Sequence, residues 1–277
     1  MKTKKLFCSL LLLGVCSLQA QINLGDKALG ALQKGVTSFT FSDEDAANLS
    51  KEAVAKMDKE NVVAGPKDPY TIRLNRLFGK HKNENGLVLN YKVYKVKEVN
   101  AFATADGSVR VYSGLMDVMD DNELLAVIGH EIGHVVNHDS RDAIKAAYRN
   151  EALIDAAGSQ SDKVAKVTDG QLGKIGNALL SSAHSRKQES DADMYAYDFM
   201  KRNKYNVNAV ESAFMILAKL NEGAESNIIT KMMSSHPDPK DRALKAKERA
   251  TAEGLYKPYV KMTAKKTTAK KTTAKKK

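Results

Sequence analysis

The sequence predicts an α+β protein, mainly α, and three observations carry that prediction. Apolar residues recur at helical spacing through most of the 277-residue chain. Between Leu87 and Tyr112 the period drops to two, enough for three short strands. After those strands, His130-Glu131-Ile132-Gly133-His134 lies inside an apolar helical run, which places the small sheet beside that helix.

The elements follow in chain order. The first twenty residues have three lysines, an apolar run over 6–15 and a small residue, Ala20, at the end. That is the pattern of a secretory signal, and the run is short for a membrane span. Export to the periplasm or the medium is expected, with a lipid anchor on Cys16 as the weaker alternative. Cleavage after Ala20 removes Cys8 and Cys16, the only two cysteines, and leaves no thiol for a disulfide or a metal. Residues 21–66 form an N-terminal helical region, in which Ser42-Asp43-Glu44-Asp45 caps a helix over 46–58. Ala64-Gly65-Pro66 interrupts the pattern, and a second helix over 70–81 offers Ile72, Leu74, Leu77 and Phe78 for burial. His81, alone among polar residues, is expected at the surface.

Leu89, Tyr91 and Val93 alternate with Asn90 and Lys92 as a half-buried strand. Two more strands, over 99–104 and 109–112, are joined by an Asp106-Gly107 turn. Asp120 with Glu123 forms a capping box that opens the helix bearing His130. That helix is apolar over most of its circumference and therefore buried. Gly129 and Gly133 each cost about 1 kcal/mol against alanine, so another backbone is expected to pack closely there. A polar helix over 139–157 and a Gly/Ser/Asp/Lys-rich loop over 158–176 come next, the loop being either a lid or slack chain. Helical pattern resumes at Asn177 and runs to Met200, followed by a helix over 207–220, a rigid loop over 234–239, and a charged helix over 240–253 ended by Gly254.

The net charge of +11 suggests a nucleic-acid partner until it is located. Three lysines lie in the first five residues, and eight lysines without an acid lie in 261–277. Residues 21–260 are formally neutral, so no dedicated nucleic-acid site is expected. The tail over 259–277 repeats Thr-Thr-Ala-Lys-Lys without an apolar face. It is expected to be disordered, and it either touches an anionic surface electrostatically or has no partner. Oligomeric state is not written in the sequence.

The chemistry lies in the His-Glu-x-x-His pattern. Positions four apart share a helix face, so His130 and His134 can offer nitrogens to one metal ion, with Glu131 beside a metal-bound water. A zinc hydrolase needs a third protein ligand. The candidates are His138, His184, Glu189, Asp191, Asp193 and His236. The class with a glycine turn and a third histidine six residues on is excluded, because Asn137 and Ser140 stand at those places. His138 continues the same helix and cannot curl back. A carboxylate from a second helix is the other solution, which Glu189 could supply with Asp193 one turn later, although carboxylates at that spacing are more often a solvated helix face.

His-Glu-x-Gly-His on one helix, Glu189-x-x-x-Asp193 on a later one and Ser235-His236-Pro237 beyond resemble the M48 family of zinc metalloendopeptidases, over roughly residues 74–250. The resemblance implies a gluzincin-type domain over 67–258 and one Zn2+ per chain. It implies His130, His134 and Glu189 as zinc ligands, Glu131 as general base and Asp193 as the carboxylate behind a ligand histidine. His236 is implied near the metal, stabilising the oxyanion or filling the open position in a resting form. Arg242 is implied in a buried ion pair.

The expected activity is hydrolysis of peptide bonds in unfolded or misassembled envelope or secreted proteins. The polypeptide is expected to add as a strand along Asn100, Ala101, Phe102 and Ala103. A zinc-containing chaperone with gated proteolysis is the rival reading.

Overall fold

A computed structural model describes residues 41–155, 167–181, 183–223 and 226–262. The predicted signal, both cysteines and the repeat of the tail lie outside the described residues.

Helix α1 (Asp43–Glu60) starts where Ser42 and Asp45 form a reciprocal capping box, and it buries Ala46, Leu49, Ala53, Val54 and Met57. Asp58, near its end, receives Arg110, Lys92 and the Tyr94 hydroxyl, which ties α1 to the sheet. Helix α2 (Pro69–Phe78) is capped by Asp68 and begins on a proline whose missing N–H is not needed there. It ends three residues before the sequence expectation, at Gly79. Leu74, Leu77 and Phe78 are buried as expected, whereas Ile72 is 55% exposed on the opposite face.

The sheet matches the predicted three strands and has an unpredicted neighbour. A two-stranded hairpin, β1 (Asn83–Glu84) and β2 (Leu87–Val88), turns on Asn85 and Gly86, both at positive φ. That Asn-Gly pair was the overlooked signal. The hairpin folds Glu84 back over His81, so His81 is buried, 2.7 Å from the Tyr205 hydroxyl, and not at the surface. Strands β3 (Asn90–Tyr94), β4 (Ala101–Ala103) and β5 (Ser108–Tyr112) follow in spatial order β3-β5-β4. β3 runs parallel to β5, and β4 is antiparallel to it through the predicted turn. A Cβ at Gly107 would lie 2.1 Å from the Val88 carbonyl oxygen, so only glycine fits that turn. The outer side of β3 is covered by residues 62–64, through Ala64 N–H to Val93 O and Lys95 N–H to Val62 O. β4 is the edge strand on the other side.

After the short helix α3 (Ser113–Val118), helix α4 (Asp121–Val136) opens on the Asp120/Glu123 capping box. Leu124, Ile128 and Ile132 have no exposed surface. Its neighbours are α5 (Asp139–Asp155), α7 (Arg186–Arg202), α8 (Asn208–Glu222) and β4. Helix α6 (Asp169–Ser181) corrects two expectations. The chain is helical from Asp169, eight residues before the predicted restart, because Gly176 packs against Met57 of α1 and Ile175 is fully buried. Nor does one helix run from Asn177 to Met200: α6 stops at Ser181, and α7 begins afresh on a capping box of Ser185 and Gln188. The predicted rigid loop at 234–239 is shorter, since helix α9 (Thr230–Ser235) takes its first two residues. Helix α10 (Pro239–Ala252) then runs to a turn at Gly254, φ +68°.

Candidate active site

Helix α4 brings His130, Glu131 and His134 to one end of the buried core, and α7 lies across it. The two glycines permit that crossing. A Cβ at Gly133 would stand 3.1 Å from both Cα and O of Ala192, and one at Gly129 would stand 3.1 Å from the Phe199 ring. On α7, Ala192 and Ala196 present equally small surfaces, both fully buried. The close approach carries Glu189 and Asp193 to the histidines. Asp191, between them, points outward to Lys187.

His130, His134, Glu189 and His236 place one ligand atom each within 4.8 Å of one another, and all four are buried. His134 Nε2 is 3.0 Å from His130 Nε2 and 3.3 Å from Glu189 Oε1. His236 Nδ1 is 3.0 Å from Glu189 Oε1 and 3.2 Å from His130 Nε2. Behind this cluster each histidine rests on a carboxylate: His130 Nδ1 is 2.9 Å from Asp193, and His134 Nδ1 is 2.9 Å from Asp139. An Nδ1–H that donates to a carboxylate leaves the lone pair on Nε2. Two Nε2 lone pairs facing each other at 3.0 Å cannot satisfy one another, whereas a proton or a metal cation between them can.

Charge leads to the same conclusion. Glu189 and Asp193 pair with one buried guanidinium, Arg242, while Asp139 lies on His134 and Glu131 faces His236. Arg242 reaches Glu189 at 2.6 Å and Asp193 at 2.7 Å, and its guanidinium stacks on the Phe214 ring. Burial works against its charge, but those carboxylates hold its pKa up. Burial likewise disfavours ionised Glu189, yet His130, His134 and His236 outweigh it and drive its pKa well below the carboxylate range. At His134 burial opposes protonation, but Asp139 and Glu189 lift the pKa to about 9. The same anions that attract a proton there attract a divalent cation. Glu131 goes the other way: burial raises its pKa, and its Oε1 has no hydrogen-bond partner among the described residues, with His236 Nε2 3.6 Å away. A buried, partnerless carboxylate oxygen at the cluster's rim suits a group that takes up a proton.

The donor set of two imidazoles and a carboxylate, with a fourth position at the rim, fits the zinc that the sequence implies. His130, His134 and Glu189 would hold it, and Asp193 and Asp139 would orient the two imidazoles. Asp139 was missed in the sequence. Its signal was its place just after His138, whose φ of +65° turns the chain sharply and swings Asp139 back beneath His134. His138 itself is exposed.

The cleft beside the cluster is lined by Asn100, Ala101, Phe102 and Ala103 together with Glu131 and His134. Asn100 and Thr104 bond to β5, so the backbone groups of Ala101 and Ala103 point away from it. Ala101 N–H is held by the Asn100 side chain and Ala103 O by Ser140 Oγ. The carbonyl of Ala101 and the N–H of Ala103 have no partner among the described residues. The free volume is about 20 Å³, and Leu179 and Leu180 of α6 and His184 also line it.

Residues 78–250 match the model of peptidase family M48. The metalloprotease LoiP of Escherichia coli K12 is 38% identical over 230 residues, 82% of this chain and 90% of that protein. The metalloprotease YcaL of the same strain is 37% identical over 223 residues, 79% of this chain and 86% of its own. A putative beta-barrel assembly-enhancing protease of Vibrio cholerae is 31% identical over 162 residues, 56% of this chain and 33% of its own length.

Proposed function

The chain belongs to peptidase family M48, and from that premise we propose that it is a zinc-dependent endopeptidase for unfolded or misassembled envelope proteins. The observation that carries the metal reading is the facing pair of Nε2 atoms, each with its Nδ1 pinned to a carboxylate. Zinc held there supplies the Lewis acidity that makes water a nucleophile at neutral pH. Glu131 takes the proton of the attacking water and passes it to the leaving amine, a task suited to its buried, partnerless oxygen. The polypeptide adds to β4, whose open Ala101 carbonyl and Ala103 N–H align its backbone beside Glu131. Such pairing reads backbone more than side chains, which suits unfolded substrates.

His236 stands among the ligand atoms, which supports a resting form in which it would join His130, His134 and Glu189 in holding the metal. Once displaced, its imidazole donates to the oxyanion of the tetrahedral intermediate. We place this work outside the cytoplasm, on the pattern of the first twenty residues. A relative named for beta-barrel assembly supports quality control of envelope proteins as the setting.

Glu131→Gln is the test. Zinc content is expected to stay at one per chain while cleavage of unfolded casein falls by at least ~10³-fold, since the base is lost. Unchanged cleavage would remove Glu131 from that role. The narrowness of the cleft favours a second reading, a zinc-containing chaperone with gated proteolysis. Suppression of aggregation by the Glu131→Gln protein, equal to that of wild type, would support it.

A further inference from the structure

We infer that His184, in the connection between α6 and α7, is a substrate-contacting residue that hydrogen-bonds the backbone of the polypeptide laid along β4. The inference rests on the endopeptidase reading above.

His184 lines the same cleft as β4, Glu131 and His236. Its backbone N–H donates to Ser235 O at 3.1 Å, which ties it to the turn carrying His236. Its ring lies flat on His134, with centroids 3.9 Å apart and planes 14° from parallel. A ring stacked in this way carries its nitrogens in a plane alongside that of His134. His184 is absent from the four-residue cluster of His130, His134, Glu189 and His236; it falls instead in a second group, with His134 and Asp139, whose ligand atoms lie within 4.8 Å of one another and which shares only His134 with the first. The geometry therefore makes His184 a poor ligand of the same metal.

What remains is a half-buried imidazole, fixed by stacking and by its main chain, at the rim of the cleft. Neither ring nitrogen has a hydrogen-bond partner among the described residues. An imidazole in this setting offers one donor and one acceptor. A strand added to β4 uses alternate backbone groups for that pairing, and the intervening groups face the other lining of the cleft. His184 belongs to that lining and can meet them. Its neighbours Leu179 and Leu180 cannot, having no polar atom in their side chains. One wall of the cleft thus binds the polypeptide through main chain, and the other through a side chain stacked on the metal site.

The test is binding to zinc-loaded protein that cannot cut. In the Glu131→Gln background, fluorescein-labelled casein is titrated and read by anisotropy. His184→Phe keeps a flat ring to stack on His134 but removes both nitrogens, and His184→Gln restores a donor and an acceptor. Binding is expected to weaken about tenfold with His184→Phe and to recover most of that loss with His184→Gln. Zinc content should be equal in all three. With Glu131 intact, His184→Phe should lower kcat/KM by the same factor, chiefly through KM. Should His184→Phe unfold, His184→Ala carries the same comparison.

Equal affinity of the His184→Phe protein would overturn the inference, and so would loss of zinc, which would make His184 part of the metal site. If the wild-type protein neither binds zinc nor cuts casein, the endopeptidase reading fails and this one with it. If wild type does both and His184→Phe matches it, only the role of His184 falls.

Discussion

Asp139 and Asp193 decide more at the site than their distance from the reacting atoms suggests. Each accepts from the Nδ1–H of one histidine, and so each fixes which nitrogen faces the cluster proposed to hold the metal. Asp139→Ala removes that bond while leaving the ligand in place. Zinc affinity is expected to drop roughly 10–100-fold, measured by competition with a chelator. An unchanged affinity would mean that burial alone fixes the His134 tautomer. Arg242 has the complementary task, since without it Glu189 and Asp193 would face each other buried and like-charged. At this scale the sequence was readable where spacing is fixed by one helix, as for His130, Glu131 and His134. Glu189, Asp193, His236 and Arg242 needed the family resemblance, because no local period places them. Asp139 escaped both, since its role depends on a positive φ at His138, which the residue type does not dictate.

Among elements, the crossing of α4 and α7 determines whether the ligands meet. Gly129 and Gly133 weaken α4 as an isolated helix but let α7 approach until Ala192 backbone atoms would touch any added Cβ. Gly133→Val is expected to destabilise the fold by about 1–3 kcal/mol and to impair zinc retention together, seen as a lower Tm and a lower metal content. A lower Tm with full zinc would separate the packing from the site. This crossing was foreseeable in the sequence, where two costly glycines sit just before two candidate ligands. The Asn85-Gly86 hairpin and the early start of α6 were less accessible. His81 and Gly176 meet partners far away in the chain, Tyr205 and Met57, and local polarity hid both.

The α1–sheet contact gives the element scale a pH signature. Burial raises the pKa of Asp58, but Arg110, Lys92 and Tyr94 outweigh it and hold the value at about 2. A carboxylate with a depressed folded pKa stabilises fully above its unfolded value near 3.8 and loses that contribution as pH falls toward 2. The contribution is about 2 kcal/mol. Tm is therefore expected to fall between pH 4 and pH 2, and Asp58→Asn should show a shallower fall in that window. Parallel curves for the two proteins would contradict the assignment.

Over the whole molecule, charge and architecture separate two jobs. The central 21–260 region is formally neutral, and its described residues build the core, the helix bearing His130 and the edge strand. The excess of basic residues lies at the two ends, all but Lys261 outside the described residues, so the +11 charge says nothing about the cleft. The sheet is covered along β3 by residues 62–64 and open along β4, so an extended chain can add only beside the cluster of buried ligands. The fold class was legible because period two and period 3.6 occupy separate stretches. The strand order was not, because the parallel pairing of β3 with β5 depends on contacts between residues some eighteen positions apart.

The central claim is that two helices, α4 and α7, jointly hold one metal ion. Native mass spectrometry of the wild-type and Glu189→Ala proteins, purified alike and folded by circular dichroism, tests it most directly. One zinc per wild-type chain and a largely metal-free variant is the predicted result; one zinc on both, or none on wild type, would contradict it.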